Sequence, residues 1–492
     1  LQRLCLIAAF IGLLIAAWLV ATAKGIWFDE LFSIYEAQHH APFAEMFWRH
    51  WMVDGHPPLF NMFNWAMQPL VGDDPLARRA LNLVPLLLAG SALIVIARRY
   101  AEAREFLFAF VLLMLASPVA LEQIVEHRAN FGQLAAMSVV VAVFAPIGLA
   151  RRDFGGGDRP VAVILFLALL VAFNLHYIGA LSAGFVTGIF MVANWIALRR
   201  RWAMVMLGVA ALASLPLAAS LIAQSLLLTD YTRDFWISTD SATAAKTILD
   251  LFLSGTKANV VVTAVAICAL GTALLRRDFV GMRPQIDIAA TCLIAAALVC
   301  AVLFVVNISR PIILLRYLVT EVPLIAAALA MLAAERMGRQ RWLTLAATLT
   351  GLLTLALFAQ RLSAQPNWSA SARIVAEVVR ACPSTAVHTP IEWSRDFTED
   401  GPNYAAVMHY GYETVGRKFG FTVEPPSSRR LDTTCPTLVW VEHFHQNLPG
   451  VAEATSGLPI APAAIAKATI QRTRSGFVAT YPPPKPDEPP AR

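Results

Sequence analysis

Long apolar stretches recur along the first three quarters of the chain. About eleven can be read, at roughly 4–23, 80–97, 106–120, 131–150, 161–178, 180–198, 202–222, 259–275, 286–308, 317–334 and 342–360. About twenty apolar residues cross a bilayer. In lipid each crossing segment must satisfy its own backbone polar groups, so these stretches are expected to be helices. The balance of the chain agrees: 58% of its 492 residues are apolar and 15% are charged. A soluble domain carries about 45–50% and 25%. That excludes a soluble enzyme, a disordered chain and a disulfide framework. The first stretch ends in Ala21-Thr22-Ala23, which resembles a leader cleavage site. Its apolar run is too long for a leader and its basic flank is Arg3 alone, so it reads as an uncleaved first helix.

The net charge of +6 suggests nucleic acid until the basic residues are placed. Alternate short loops hold Arg98, Arg99 and Arg104; Arg151, Arg152 and Arg159; Arg199, Arg200 and Arg201; Arg276, Arg277 and Arg283; and Arg336, Arg339 and Arg341. With Arg3 they all fall on one side of the spans, which the positive-inside rule makes cytoplasmic. The surplus is thus an orientation signal and not a nucleic-acid patch. The N-terminus is expected inside. Everything after about residue 361 is expected outside.

The opposite side differs. Its first loop, 24–79, holds Trp27, Trp48, Trp51 and Trp65, and Trp favours the headgroup level. Within it, Phe43, Met46, Phe47 and Trp51 keep helical spacing, as in a helix lying in the interface. After Pro57-Pro58 a second such piece carries Leu59, Met62, Phe63 and Ala66 on one face and Asn61, Asn64 and Gln68 on another, and stops at Gly72-Asp73-Asp74-Pro75. Other outer span ends carry Glu122, Glu126, His127 and Arg128; His176 and Tyr177; Asp230, Tyr231, Arg233, Asp234 and Trp236 in a loop 223–258; and Arg310 with Arg316-Tyr317. Ionisable groups at membrane depth are costly and are functional candidates by default. Here they gather on the face away from the orienting arginines.

Beyond residue 361 the composition turns polar. A helix is expected over 370–381 with Ser369 as its cap, and Thr437-Leu438-Val439-Trp440-Val441 reads as a strand. The expected organisation is a membrane module over 1–360, a small α/β domain over 361–480 and a disordered Pro-rich tail over 481–492. Cys5, Cys268, Cys292 and Cys300 lie in apolar spans, where cysteine acts as a small hydrophobe. Cys382 and Cys435 are the pair in the soluble part, and an outside location makes a disulfide between them plausible beside the alternative of two buried thiols. His443 and His445 share one face of a strand and read as surface.

Two outer clusters suggest chemistry. Asp29-Glu30 follows the first span; alone, it also suits a solvated loop. Asp54-Gly55-His56-Pro57-Pro58-Leu59 closes the same loop, and its prolines set a rigid entry into the next helix. In order, these motifs resemble the GT-C membrane glycosyltransferases of the protein O-mannosyltransferase and aminoarabinose transferase superfamily. Further along, Glu126-His127-Arg128 after Ser117-Pro118 resembles that family's E-x-R. His176-Tyr177 resembles its H-Y, and Arg316-Tyr317-Leu318 with Pro323 resembles its R-Y-L…P. The likeness covers about residues 1–335. It departs at Val125 and Asn130, where bacterial members often carry Gln and Tyr.

The resemblance implies a sugar donor linked to polyprenyl phosphate, used on the outer, periplasmic face of a bacterial inner membrane, and a carboxylate in the first outer loop as catalytic base. The chemistry is consistent. An acceptor hydroxyl must lose its proton as it attacks the anomeric carbon, and a placed carboxylate supplies about 10²–10⁴ in rate. Asp29 is the expected base, with Glu30 the alternative, while Asp54 binds acceptor or orients His56. The leaving phosphate gathers charge, which fixed cations stabilise. Arg316, Arg310, Arg128 and His56 are the phosphate candidates in that order, joined by Tyr317 and His176, with Glu126 in support. For Arg310 and Arg316 the alternative is snorkelling to headgroups; for Glu126 and Arg128 it is a span-end ion pair; for His127 it is a headgroup-facing position. Glu126, His56, Asp54 and His176 could together meet a divalent metal, although the resemblance requires none. A lipid or polysaccharide flippase is the competing function. Such transporters bind near the midplane between repeated halves, and no internal repeat is visible.

Overall fold

The computed structural model describes all residues except 55, 151, 228–239, 277–278, 366–367, 391–403, 426, 429, 433, 443–450, 452–457, 459, 461–466, 474 and 484–492. Two compact units emerge. One joins Leu1–Ala21 to Met46–Ser363, the other joins Thr22–Glu45 to Ala364–Arg492. The first outer loop is therefore divided between them.

The larger unit is a helical membrane bundle. Among the described residues nine helices are long and apolar enough to cross a membrane, and two bent pairs raise the number to as many as eleven. Each coincides with an apolar stretch of the sequence. The bundle's centre is built from Ala129–Ala150 and the helix Val322–Arg339, which are buried along most of their length. Ala327, Ala330 and Ala333 lie on the buried side of the latter. Without a hydrophobic drive between helices in lipid, small side chains that allow close approach are what packing favours. Peripheral helices such as Pro75–Arg99 and Arg200–Leu227 leave Leu87, Leu88, Leu212, Leu215 and Ile222 exposed, as lipid-facing helices should.

The bends have local causes. The helix Arg104–Leu115 meets Pro118–Ile124 at 60°. At the break the Ser117 hydroxyl accepts from the amide of Ala120, and Pro118 occupies the first turn, where its missing N–H is harmless. The second pair, Ser241–Lys257 with Val260–Leu275, bends by 93°. Asn259 sits buried at the corner, donating to the Ala347 carbonyl at 2.7 Å and accepting from the Val262 amide at 3.2 Å. The segment 241–257 was expected as loop; it is an amphipathic helix capped by Asp240, with Ala244 and Leu251 buried. Its apolar residues are interleaved with Thr and Lys, which obscures it as a span. Asp230, Tyr231, Arg233, Asp234 and Trp236 lie outside the described residues.

The arginine-rich end of the bundle is more than an orientation signal. Asp158 is fully buried there. It receives Arg99 Nε at 2.7 Å, Arg152 at 3.1 Å, the Tyr100 hydroxyl at 3.3 Å and the Gly155 amide at 2.9 Å. At the other end the helix Leu59–Val71 forms as expected and stops at Gly72, whose φ is +61°. Its asparagine face is turned inward: Asn61 and Asn64 are buried, while Ala66 and Leu70 are exposed. Phe43–Glu45 and a π-helical turn Met46–Trp51 precede it.

The smaller unit is an α/β domain. Its helices include Phe28–Tyr35, Trp368–Ala381 and Tyr404–Phe419. Its strands are β1 (Val387–His388), β2 (Thr437–Glu442), β3 (Thr469–Arg472) and β4 (Gly476–Tyr481), in the order β1-β2-β4-β3. β1 and β2 are parallel; β4 runs antiparallel to β2 and β3. Alternation along β2 feeds two cores. Leu438 and Trp440 pack with Trp368, Val375, Leu31 and Tyr412, whereas Val439 and Val441 pack with Phe477, Ala479 and Tyr481. Both faces are covered, hence the unbroken apolar run. Gly476 is fixed by contact, since a Cβ there would meet the Val441 carbonyl at 1.9 Å. Tyr481, assigned from the sequence to the tail, ends β4 opposite Thr437 and is buried. Cys382 and Cys435 form the expected disulfide, with Cα atoms 5.7 Å apart. His443 and His445 lie outside the described residues.

Candidate active site

His176 makes a one-residue hinge between two spans. The helix Arg159–Leu175 ends before it, and Tyr177–Ile196 begins after it. His176 itself is extended (φ −162°, ψ 142°), and its Nδ1 accepts from the Ile178 amide at 3.2 Å. An acceptor at Nδ1 leaves the hydrogen of the neutral ring on Nε2. The hinge is held from behind by Gln133, whose Nε2 donates to the His176 carbonyl at 3.2 Å and the Ala172 carbonyl at 3.4 Å. Gly179 permits that approach, because a Cβ there would meet Gln133 Nε2 at 1.9 Å.

The Asp54–Leu59 motif closes onto this hinge. The His56 ring lies 5.0 Å from the His176 ring, edge to face. Its Nδ1 is 3.4 Å from a carboxylate oxygen of Asp54. The His56 carbonyl accepts from Gln224 Nε2 at 2.8 Å, and the other end of that amide accepts from the Tyr177 hydroxyl. The His56 side chain is 37% exposed and that of Asp54 14%, so the corner remains open to a ligand.

Arg316-Tyr317 arrives from a third direction, on the 3-10 turn Leu315–Glu321 that leads into Val322–Arg339. The Tyr317 ring lies 5.1 Å from His176, and the Arg316 guanidinium 5.5 Å from Tyr317. The preceding chain is pinned by Asn307, whose Oδ1 accepts from the amides of Ile312 and Ile313 at 2.8 and 2.9 Å. Burial, then the positive fields of His56, Arg128 and Arg316, hold the His176 pKa well below the usual histidine range. Three sequence motifs thus share one electropositive corner, a seat suited to a phosphate group.

The remaining outer candidates are buried to different degrees. Arg310 is half-buried just after the helix Phe279–Ser309. Glu126 is buried, and its carbonyl accepts from Asn82 Nδ2 at 2.7 Å, together with the carbonyls of Gln123 and Ile124. His127, read as a possible headgroup-facing residue, is instead buried beside the Phe60 ring. Burial, then Arg78, Arg128 and Arg79, pull its pKa down to about 3. Arg78 and Arg79 were not picked out from the sequence. Both are buried, Arg78 donating to the Asn64 carbonyl at 3.2 Å and Arg79 to the Ala21 carbonyl at 2.8 Å. Their position in the loop read as outer, away from the orienting arginine clusters, was the available signal. Gln133 and Gln224 carry no motif and gave none.

Asp29 and Glu30 occupy the first turn of Phe28–Tyr35 in the smaller unit, a favourable seat for negative charge. Asp29 is half-buried and Glu30 fully buried. Among the described residues no three or more His, Cys, Asp or Glu side chains are grouped to hold a metal ion. Glu126, His56, Asp54 and His176 therefore do not form such a group.

No family model matches the chain, and no curated protein matches it. Its fold is similar to that of ArnT. The crystal structure of ArnT from Cupriavidus metallidurans in the apo state superposes with a TM-score of 0.54 at 15% identity, covering 96% of this chain and 97% of that one. The structure of the same protein bound to undecaprenyl phosphate matches equally. The chain is thus a multi-pass membrane protein with an ArnT-like fold.

Proposed function

We propose that the chain is an inverting glycosyltransferase, moving a sugar from a polyprenyl phosphate to an acceptor hydroxyl on the periplasmic face of the inner membrane. The observation that carries this reading is the convergence of His56, His176, Arg316 and Tyr317 at one corner of the bundle. The ArnT-like fold, known with undecaprenyl phosphate bound in ArnT itself, supports it.

In this reading the acceptor oxygen attacks the anomeric carbon as a carboxylate takes its proton. The bond from that carbon to the phosphate oxygen breaks, and polyprenyl phosphate leaves with the bonding pair. Single displacement inverts the centre and needs no acid, since the phosphate is a good leaving group. Its growing charge is met by Arg316, Arg128 and His56, with a hydrogen bond from His176 Nε2. Arg310 and Glu126 are supporting members. Of the two first-loop acids, Asp29 is the better base because Glu30 is fully enclosed. Asp54 orients His56 through the 3.4 Å contact or receives the acceptor.

The test is transfer from a radiolabelled polyprenyl phosphate sugar to an acceptor extract by purified protein in nanodiscs. Wild type transfers label. Asp29→Asn folds and loses at least a hundredfold in rate. Full activity in both Asp29→Asn and Glu30→Gln removes the base assignment; no transfer by wild type with any donor sugar counts against the function.

A further inference from the structure

Glu321 is fully buried at the end of the turn that carries Arg316-Tyr317, and the chemistry above gives it no task. Its Oε1 accepts from the Ser182 hydroxyl at 2.5 Å and from Thr320 Oγ1 at 3.2 Å. Ser182 and Thr320 are 2.9 Å apart, and both are fully buried. Its Oε2 is buried without a hydrogen-bond partner among the described residues. Ser182 lies on Tyr177–Ile196, the helix that starts at the His176 hinge, and it also donates to the Ile178 carbonyl at 3.0 Å. That carbonyl belongs to the residue whose amide donates to His176 Nδ1.

An incompletely paired carboxyl inside a membrane bundle is expensive. An apolar pair would pack the same helices without that penalty. What the carboxyl adds is direction: the hydrogen bond from Ser182 fixes the register of one segment on the other, which apolar contact does not. We propose that Glu321, with Ser182 and Thr320, is a positioning residue that clamps the Arg316-Tyr317 turn onto the His176-Tyr177 helix. The clamp sets the distance between Tyr317 and His176 and so the shape of the corner. Its consequence for the donor rests on the reading of that corner as the phosphate seat.

Two readouts test it in full-length protein in nanodiscs. The first needs no ligand. A His176→Cys/Tyr317→Cys pair is joined by a short bifunctional thiol reagent, and the cross-linked fraction is measured with Glu321 or Ser182 altered. The second is the affinity for undecaprenyl phosphate in the otherwise native chain. Glu321→Ala and Ser182→Ala are each expected to lower the cross-linked fraction severalfold and to weaken binding about tenfold. Glu321→Gln keeps an acceptor for Ser182 and stays within about threefold of wild type. Unchanged cross-linking and affinity in Ser182→Ala would overturn the clamp, even if Glu321→Ala does not fold. So would Glu321→Gln behaving like Glu321→Ala. Failure of wild type to bind undecaprenyl phosphate would overturn the donor reading alone, and the cross-linking would still decide the clamp.

Discussion

The rings of His56 and His176 meet edge to face with centroids 5.0 Å apart, though 120 residues of chain separate them. Two protonated imidazoles at that separation would repel, and Arg128 and Arg316 add to the same field. His176 therefore stays neutral, with its Nδ1 accepting and its Nε2–H available as a donor.

His176→Phe tests that donor. It keeps the ring volume and removes both nitrogens. Affinity for undecaprenyl phosphate is expected to fall about tenfold, the worth of one hydrogen bond to a charged group. Because His176 is neutral well above its lowered pKa, its ring should not titrate between pH 6 and 8. Nitrogen-15 NMR of labelled histidine reads this directly; an imidazolium signal from His176 at pH 6.5 would contradict the tautomer.

Arg316 offers a different measurement. Its guanidinium lies 5.5 Å from the Tyr317 ring. Arg316→Ala is expected to raise the donor KM by about 10–100-fold, the scale of a charge-assisted pair, with the acceptor KM little changed. Arg316→Lys should fall between, since an ammonium cannot bind two oxygens at once. Equal effects on both substrates would remove Arg316 from the phosphate seat.

The parts of this site that the sequence revealed share one property: their residue types are anomalous where they stand. His176 and Arg316 are polar groups at the ends of apolar spans, His56 precedes a helix of the outer loop, and short motifs around them have a family order. Gln133 and Gln224 hold the hinge and the His56 carbonyl, yet a lone glutamine near an apolar helix end is unremarkable. Glu321 was hidden inside a stretch read as a span. Asn61 and Asn64 announced a polar face, but periodicity does not tell whether that face meets protein or water; here it meets protein. The division of the first loop was equally illegible. Leu31 and Ile34 look like any apolar loop residues until Trp368 and Tyr412 come to them from more than three hundred residues away.

The disulfide in the smaller unit should be a large part of that unit's stability. Cys382 and Cys435 are separated by 53 residues. Closing a loop of that length lowers the entropy of the unfolded chain by about 4 kcal/mol in the chain-entropy estimate. Cys435→Ser is expected to lower the unfolding midpoint by several degrees and to expose sites in 382–435 to protease. Alkylation before and after reduction, read by mass, identifies the pair. Labelling of Cys382 without reductant would show it unpaired.

Glu442 supplies a pH dependence in the same unit. It ends β2 fully buried, accepting from Trp440 Nε1 at 2.9 Å and from the Ser371 hydroxyl. Burial raises its pKa to about 8 despite the hydrogen bonds from Trp440 and Ser475. The unfolded carboxyl titrates near the model-peptide value of 4.5. Between these values the folded chain holds a proton that the unfolded chain has released, so stability falls as pH rises. The contribution is intact below about pH 4.5 and is lost as pH passes through 8. Glu442→Gln keeps an acceptor for Trp440 and cannot ionise. It should match wild type in thermal midpoint near pH 5 and exceed it by several degrees at pH 8.5. A midpoint difference that does not change with pH would show that Glu442 is not the titrating group.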